Sequence, residues 1–200
     1  MNTLTWLKRT FLATGLSIAA LGVSATAVAA PANYQIDTKG MHASVNFKIQ
    51  HLGYSWLTGR FDQFGGTFVY DSEKPSNSKV DVSIDTDSVN TNHAERDKHL
   101  RSGDFLDVKK FPKATFVSTD ITENADKTLT VKGDLTLHGV TKPIEIQASK
   151  VGEGKDPWGG YRAGFTGTTL IKLADYGITY NLGPASTEVY FQLNLEGVRQ

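Results

Sequence analysis

The residues with the most chemical potential lie in one stretch, "NHAERDKHLRSGDFL", positions 92–106. Two histidines, two carboxylates and three fixed positive charges fall within its first eleven residues. Asn92 reads as an N-cap with Glu95 three residues on, and Gly103 can end the helix. This places His93–Asp97, Glu95–His99 and Asp97–Arg101 at i,i+4 spacing. His93 with Asp97 could work as an acid–base pair only if burial or a strong local field perturbed them. As metal ligands, histidines six apart do not match the H-x-x-x-H spacing of helical zinc sites. Ala94 and Leu100 are about 240° apart around the axis and form no apolar stripe. The helix must therefore be pinned from outside, by Phe105, Leu106, Val108 and Phe111, with Pro112 stopping further helix. It reads as a polar plug or flap, and no residue is assigned a catalytic or metal-binding role.

What such a flap covers depends on the strands around it. Period-2 alternation runs through most of the chain. Ala43, Val45, Phe47 and Ile49 share one face, as do Val80, Val82 and Ile84, and Val189, Phe191, Leu193 and Leu195. "LTVKGDLTL" alternates through Leu129, Val131, Leu135 and Leu137, with Gly133 between them. His138-Gly139 suits a tight hairpin turn, and Gly65-Gly66 suggests a bulge or bend. With about eight strands and one helix near 92–102, too few helices remain for the crossovers of a parallel βαβ sheet, and closure into an antiparallel barrel removes the edges. A 14-residue run at 160–173 would span roughly 35 Å of barrel axis. Phe47, Phe61, Phe68, Phe116, Phe165 and Phe191 fall on the inner phase. They could line a deep apolar tube or interlock as a solid core, and alternation does not choose between these.

The N-terminus reads as a secretory signal peptide. Lys8 and Arg9 precede an apolar run, and Ala27-Val28-Ala29 is an A-x-A cleavage pattern. Residues 1–29 form this segment and 30–200 one domain, which implies export to the periplasm with no stable membrane anchor in the mature chain. Removing Lys8 and Arg9 from the balanced 21 basic and 21 acidic residues leaves a net charge of −2. Interleaved charge argues against nucleic acid. Without cysteine there is neither a disulfide framework nor a cysteine nucleophile. No Walker loop, dinucleotide fingerprint or G-x-S-x-G occurs, so no cofactor is expected.

Four blocks carry a resemblance: "YQIDTKGMHASVNFKIQHLGYSWLTGRFDQFGGTFVYD", "NHAERDKHLRSGDFLDVKKFPKATF", "VKGDLTLHGVTKPI" and "ADYGI". Together, over about residues 33–198, they resemble the YceI-like family. The resemblance implies an elongated lipocalin-like β-barrel with an apolar cavity for a polyisoprenoid or another long amphiphilic lipid, and it favours the open tube. The six phenylalanines would then be the wall. His51, Trp56, Arg60, His93, Arg96, His99, Arg101 and Tyr176 are the candidates for the mouth, where arginine suits a phosphate-bearing head group. Two other readings stand beside the carrier. One is an accessory or enzymatic factor in isoprenoid-quinone metabolism, the other a solid-core interaction module. Aromatic residues near loops, such as Tyr54 and Trp158, are compatible with a homodimer.

Overall fold

The computed structural model describes residues 31–200; the expected signal peptide lies outside them. Eleven strands form one antiparallel sheet: β1 (Ala32–Ile36), β2 (Ser44–His51), β3 (Ser55–Phe61), β4 (Phe64–Tyr70), β5 (Lys79–Asp85), β6 (Val89–Asn90), β7 (Lys113–Glu123), β8 (Leu129–Leu137), β9 (Val140–Lys155), β10 (Tyr161–Lys172) and β11 (Glu188–Arg199). Three pairs act as single interrupted staves. β1 and β2 both pair with β11, β4 continues β3, and β6 continues β5. The result is an up-and-down barrel of eight staves, closed where Tyr34–Ile36 pair with Gly197–Arg199. One α-helix, α1 (Ala94–Leu100), and the 3₁₀ turns Leu173–Tyr176 and Pro184–Ser186 sit at one end.

The turn chemistry follows the sequence at one point and departs from it at another. Leu137 pairs with Val140, so His138-Gly139 is a two-residue hairpin loop. Both have positive φ, 51° and 75°, as a type I′ turn requires. The break expected at Gly65-Gly66 falls instead at Asp62-Gln63, between β3 and β4. There the Asp62 N–H donates to the Ser88 carbonyl and the Asp85 N–H to the Gln63 carbonyl. The interruption is thus carried by backbone bonds to a neighbouring stave, a partner that strand periodicity does not reveal.

Inward alternation builds the core. At the end carrying the N-terminus of β1, Tyr34 stacks on Phe68 at 4.8 Å, and Phe165 reaches across to meet Phe68 and Tyr70 edge-on. These rings floor the barrel. Towards the helix end, Phe47 leans on Phe61 and Phe191. Two inward glycines let such rings lie flat along the wall. A Cβ on Gly133 would sit 2.5 Å from both the Phe116 ring and the Val117 carbonyl oxygen, and one on Gly59 would sit 2.4 Å from the Phe47 ring. The absent side chain leaves room for the ring against the sheet, and the ring in turn leaves the axis clear.

An ionic knot on the outer surface ties the closure together. Arg162 of β10 donates to Asp37 at 2.6 Å, to Glu196 at 2.7 Å and to Asp156 at 2.9 Å. His42 approaches Asp37 at 3.0 Å. Asp37, His42 and Glu196 have ligand-like spacing, but the guanidinium already occupies the position a cation would take. The hydrogen bonds from Arg162, His42 and the Gly40 N–H hold the Asp37 carboxyl well below the usual carboxylate range. Asp156 is held low as well. Burial pushes it upward, but the bonds from Arg162, Gly160 and Trp158 prevail.

Two outcomes are expected. Depressed carboxylate pKa values stabilise the fold above about pH 4, and that contribution fades as pH falls further. Arg162→Leu should therefore cost roughly 2 kcal/mol at pH 7, about 4–8 °C in Tm, with the gap to wild type narrowing at pH 3 in calorimetry. Gly133→Ala should cost about 1–3 kcal/mol, because Val117 is backbone and cannot yield. It should also turn Phe116 into the lumen, seen as reduced uptake of an apolar fluorescent dye.

Candidate functional site

The inner faces of the staves do not meet. They enclose a cavity of about 470 Å³ running from Tyr70, Ile121 and Leu129 at the floor to Leu100, Phe105 and Leu182 at the helix end. The six phenylalanines expected at the wall, Phe47, Phe61, Phe68, Phe116, Phe165 and Phe191, line it, joined by Phe64 of β4 and by Phe105. Among the described residues, no ring-to-ring contact joins the floor group to the upper group. The volume lies within the range of small-molecule sites. Beyond the phenylalanines, the wall is mostly aliphatic, with Tyr70 and small polar side chains such as Ser44, Ser78, Thr166 and Asn194 set into it, and the rim carries His51, Arg96 and His99.

At the rim, α1 starts one residue later than the sequence suggested. Asn92 has φ of +61° and cannot serve as the cap; His93 does, its Nδ1 accepting from the Arg96 N–H at 3.3 Å. The helix is fastened mainly by polar residues. Asp97 is buried and accepts from both the backbone N–H and the hydroxyl of Thr91. Arg101 donates to the Asp87 and Val89 carbonyls at 2.6 and 2.8 Å. These bonds supply what the missing apolar stripe could not. Leu100, with Phe105 and Leu106, then closes over the cavity. Phe111 packs against His138 at 4.6 Å, so the expected anchor works from outside the barrel mouth.

The mouth candidates separate into two groups. His51, Arg96 and His99 reach the cavity. Arg96 is braced by two bonds to Thr91, both 2.7 Å, and His99 by Asp104 at 2.9 Å, with Phe105 and Tyr180 packed edge-on or tilted around it. The other five do not reach it. Trp56 and Arg60 lie on the outer face, out of phase with Leu57 and Phe61. Trp56 packs on Tyr190 beneath Lys48, and Arg60 pairs with Asp62 at 2.6 Å. Strand phase alone could have excluded both. His93 is spent as the helix cap and Arg101 as the clamp on β6. Tyr176 is buried in the 3₁₀ turn Leu173–Tyr176, packed behind the wall with Leu137, Ile171, Ile178 and Val189, and does not itself line the cavity.

Some lining residues carried no periodic signal. Ile178 and Leu182 lie in the irregular stretch before β11, yet both line the cavity. Ser186 holds that stretch against the β2 end by donating to the Gln50 carbonyl at 2.6 Å. Tyr180 completes the cover by packing on His99 and Phe105. The His99–Asp104 pair is about half exposed on both sides, a solvated pair beside an apolar opening. Chemically, the site offers a greasy tube with one guanidinium and two imidazoles at its lip.

Comparisons with known proteins agree with this architecture. The chain matches the YceI-like domain over residues 34–197. It is 56% identical over 194 residues to a UPF0312 protein of Pseudomonas aeruginosa, covering 97% of this chain and all of that one. Among solved structures, the YCEI protein of Campylobacter jejuni superposes with a TM-score of 0.68 at 29% identity, covering 76% of this chain and 90% of that one. A polyisoprenoid binding domain from Saccharophagus degradans, implicated in plant cell wall breakdown, has the same fold with a TM-score of 0.62 at 20% identity, covering 84% and 98%. With the domain match spanning nearly all the described residues and a barrel of the same form around an apolar cavity, the chain belongs to the YceI-like family.

Proposed function

We propose that this protein is an exported, periplasmic carrier that holds a long-chain isoprenoid or a related amphiphilic lipid in its barrel. The observation behind this reading is the cavity itself, continuous, almost wholly apolar, floored at one end and polar at the other. Each buried CH₂ is worth about 0.8 kcal/mol, so roughly ten of them match a micromolar Kd before ordering costs. Affinity on that scale comes from the tail and needs no catalytic group. The neighbouring polyisoprenoid binding domain and the family match point to the same ligand class. Export is supported by the basic and apolar N-terminal pattern with its A-x-A site.

Native mass spectrometry of protein freshly isolated from its own host should show a lipid adduct that organic solvent releases. An empty barrel that also fails to take up prenyl lipids would overturn the carrier reading. The accessory-enzyme reading is separated by His99→Ala. For a carrier, that change leaves tail binding intact; for an enzyme, it abolishes turnover with lipid content unchanged.

A further inference from the structure

Exposed apolar side chains are not spread evenly over this barrel. Leu52, Tyr54, Trp56, Leu170, Tyr180 and Tyr190 are six of the ten large hydrophobic residues left exposed among the described residues. All six lie on the side of the mouth formed by β3, β2, β11, β10 and the stretch before β11. The turn between β2 and β3 carries the first two. Leu52 has φ of +54°, a conformation that turns usually give to Asn or Gly. Its tip rests against Gly183, yet the residue is 52% exposed. Tyr54 is 88% exposed. Tyr180 packs on His99 and Phe105 and still leaves nearly half its surface to solvent. This corner is continuous with the cavity, because His51, Ile178 and Leu182 of the same segments line it.

The outer face next to the tip has the same character. Trp56 packs edge-on against Tyr190, and the Lys48 amine lies over both rings at 4.7 and 5.7 Å. Leu170 is in register with Tyr190. Charge is patterned too. Residues 44–61 and 176–187 contain no Asp or Glu, and their fixed charges are Lys48 and Arg60. Arg60 is paired with Asp62. At the margin, Glu188 is in register with Lys172, and Asp104 is paired with His99. The opposite end differs. Trp158 is exposed there, but it stands over Arg162 within the acidic closure knot.

Leucine, tyrosine and tryptophan beside lysine are the residues that settle at a membrane interface, rings among the head groups and amine towards water. A projecting side chain such as Tyr54 can enter a fluid layer, which needs no complementary pocket. We propose that this corner seats the barrel on a lipid bilayer, with the mouth opening against it. Segments without acidic residues avoid repulsion by an anionic leaflet. A long isoprenoid tail is hardly soluble in water, so direct passage between bilayer and cavity spares it the solvent. That purpose rests on the carrier reading; the surface itself rests on its exposed residues.

Two tryptophans remain once the leader is removed, since the third is Trp6. They stand at opposite ends of the barrel and report on it separately. Chains beginning at residue 30 are mixed with vesicles of phosphatidylethanolamine and phosphatidylglycerol bearing brominated acyl chains, and the bound fraction is read. In Trp158→Phe, the emission of Trp56 should shift to the blue and fall by roughly twofold as the ring enters the interface. In Trp56→Phe, the emission of Trp158 should not change. Leu52→Asn combined with Tyr54→Ser should lower vesicle partitioning about tenfold, with Tm and vesicle-free binding of geranylgeraniol unchanged. Quenching of Trp158, or partitioning that the double variant leaves intact, would overturn the docking corner. So would a chain that takes up geranylgeraniol but ignores vesicles; the carrier reading would then stand and the corner would fall to a protein partner. Vesicle docking through Trp56 without uptake of geranylgeraniol would overturn the carrier reading alone.

Discussion

Closure of the sheet between β1 and β11 is the constraint on which the rest of this molecule depends. Without it, the row of free N–H and C=O groups along each outer strand would face water or another chain. With it, every inward residue faces the same axis, and alternation becomes a tube. The Arg162 knot stands at this closure, where the guanidinium bridges the break between β1 and β2, the hairpin after β9 and the end of β11. Three carboxylates around one arginine would repel one another without it. The same geometry explains why a cluster with the spacing of a metal site needs no metal to be held together.

The hollow is a second constraint set by side-chain size. Eight staves give an interior that side chains could fill. Here the large inward residues are aromatic, and at Gly133 and Gly59 they lie over residues with no side chain. A ring flat on the wall excludes water from the sheet and occupies little of the axis. At the floor, by contrast, Tyr34, Phe68, Tyr70 and Phe165 stack across the barrel and close it. One residue type thus serves both as lining and as stopper, according to whether a neighbouring strand offers a recess.

The polar stretch 92–106 follows from the same economy. Its charges are largely occupied by the fold: Asp97 by Thr91, Arg101 by two carbonyls, and His93 by the helix N-terminus. Arg96 and His99 remain at the mouth, each braced by a neighbour. The stretch is a cap fastened by hydrogen bonds, because it has no apolar face to fasten it, and its chemistry is that of a lip.

Much of this was legible in the linear chain. Alternation pointed to the staves, their inner faces and six of the eight phenylalanines that line the cavity, because a strand side chain has only two directions; Phe64 and Phe105 were not among them. His138-Gly139 declared its turn because few residue pairs accept two positive φ values. Phase also contained the answer for Trp56 and Arg60, which are out of step with Leu57 and Phe61. What the chain could not state was anything set by partners distant in sequence. Whether the inner faces meet or stand apart depends on how closely β7 approaches β8 over Gly133, and on the closure of β1 on β11. Lys142 is exposed on an inner phase because β10 leaves β9 after Thr168, and Leu182 lines the cavity from an irregular stretch that Ser186 ties to Gln50. Periodicity determined which way each side chain points; only the packing of non-adjacent segments decided what it finds there, because contact energies depend on distances that a local pattern does not encode.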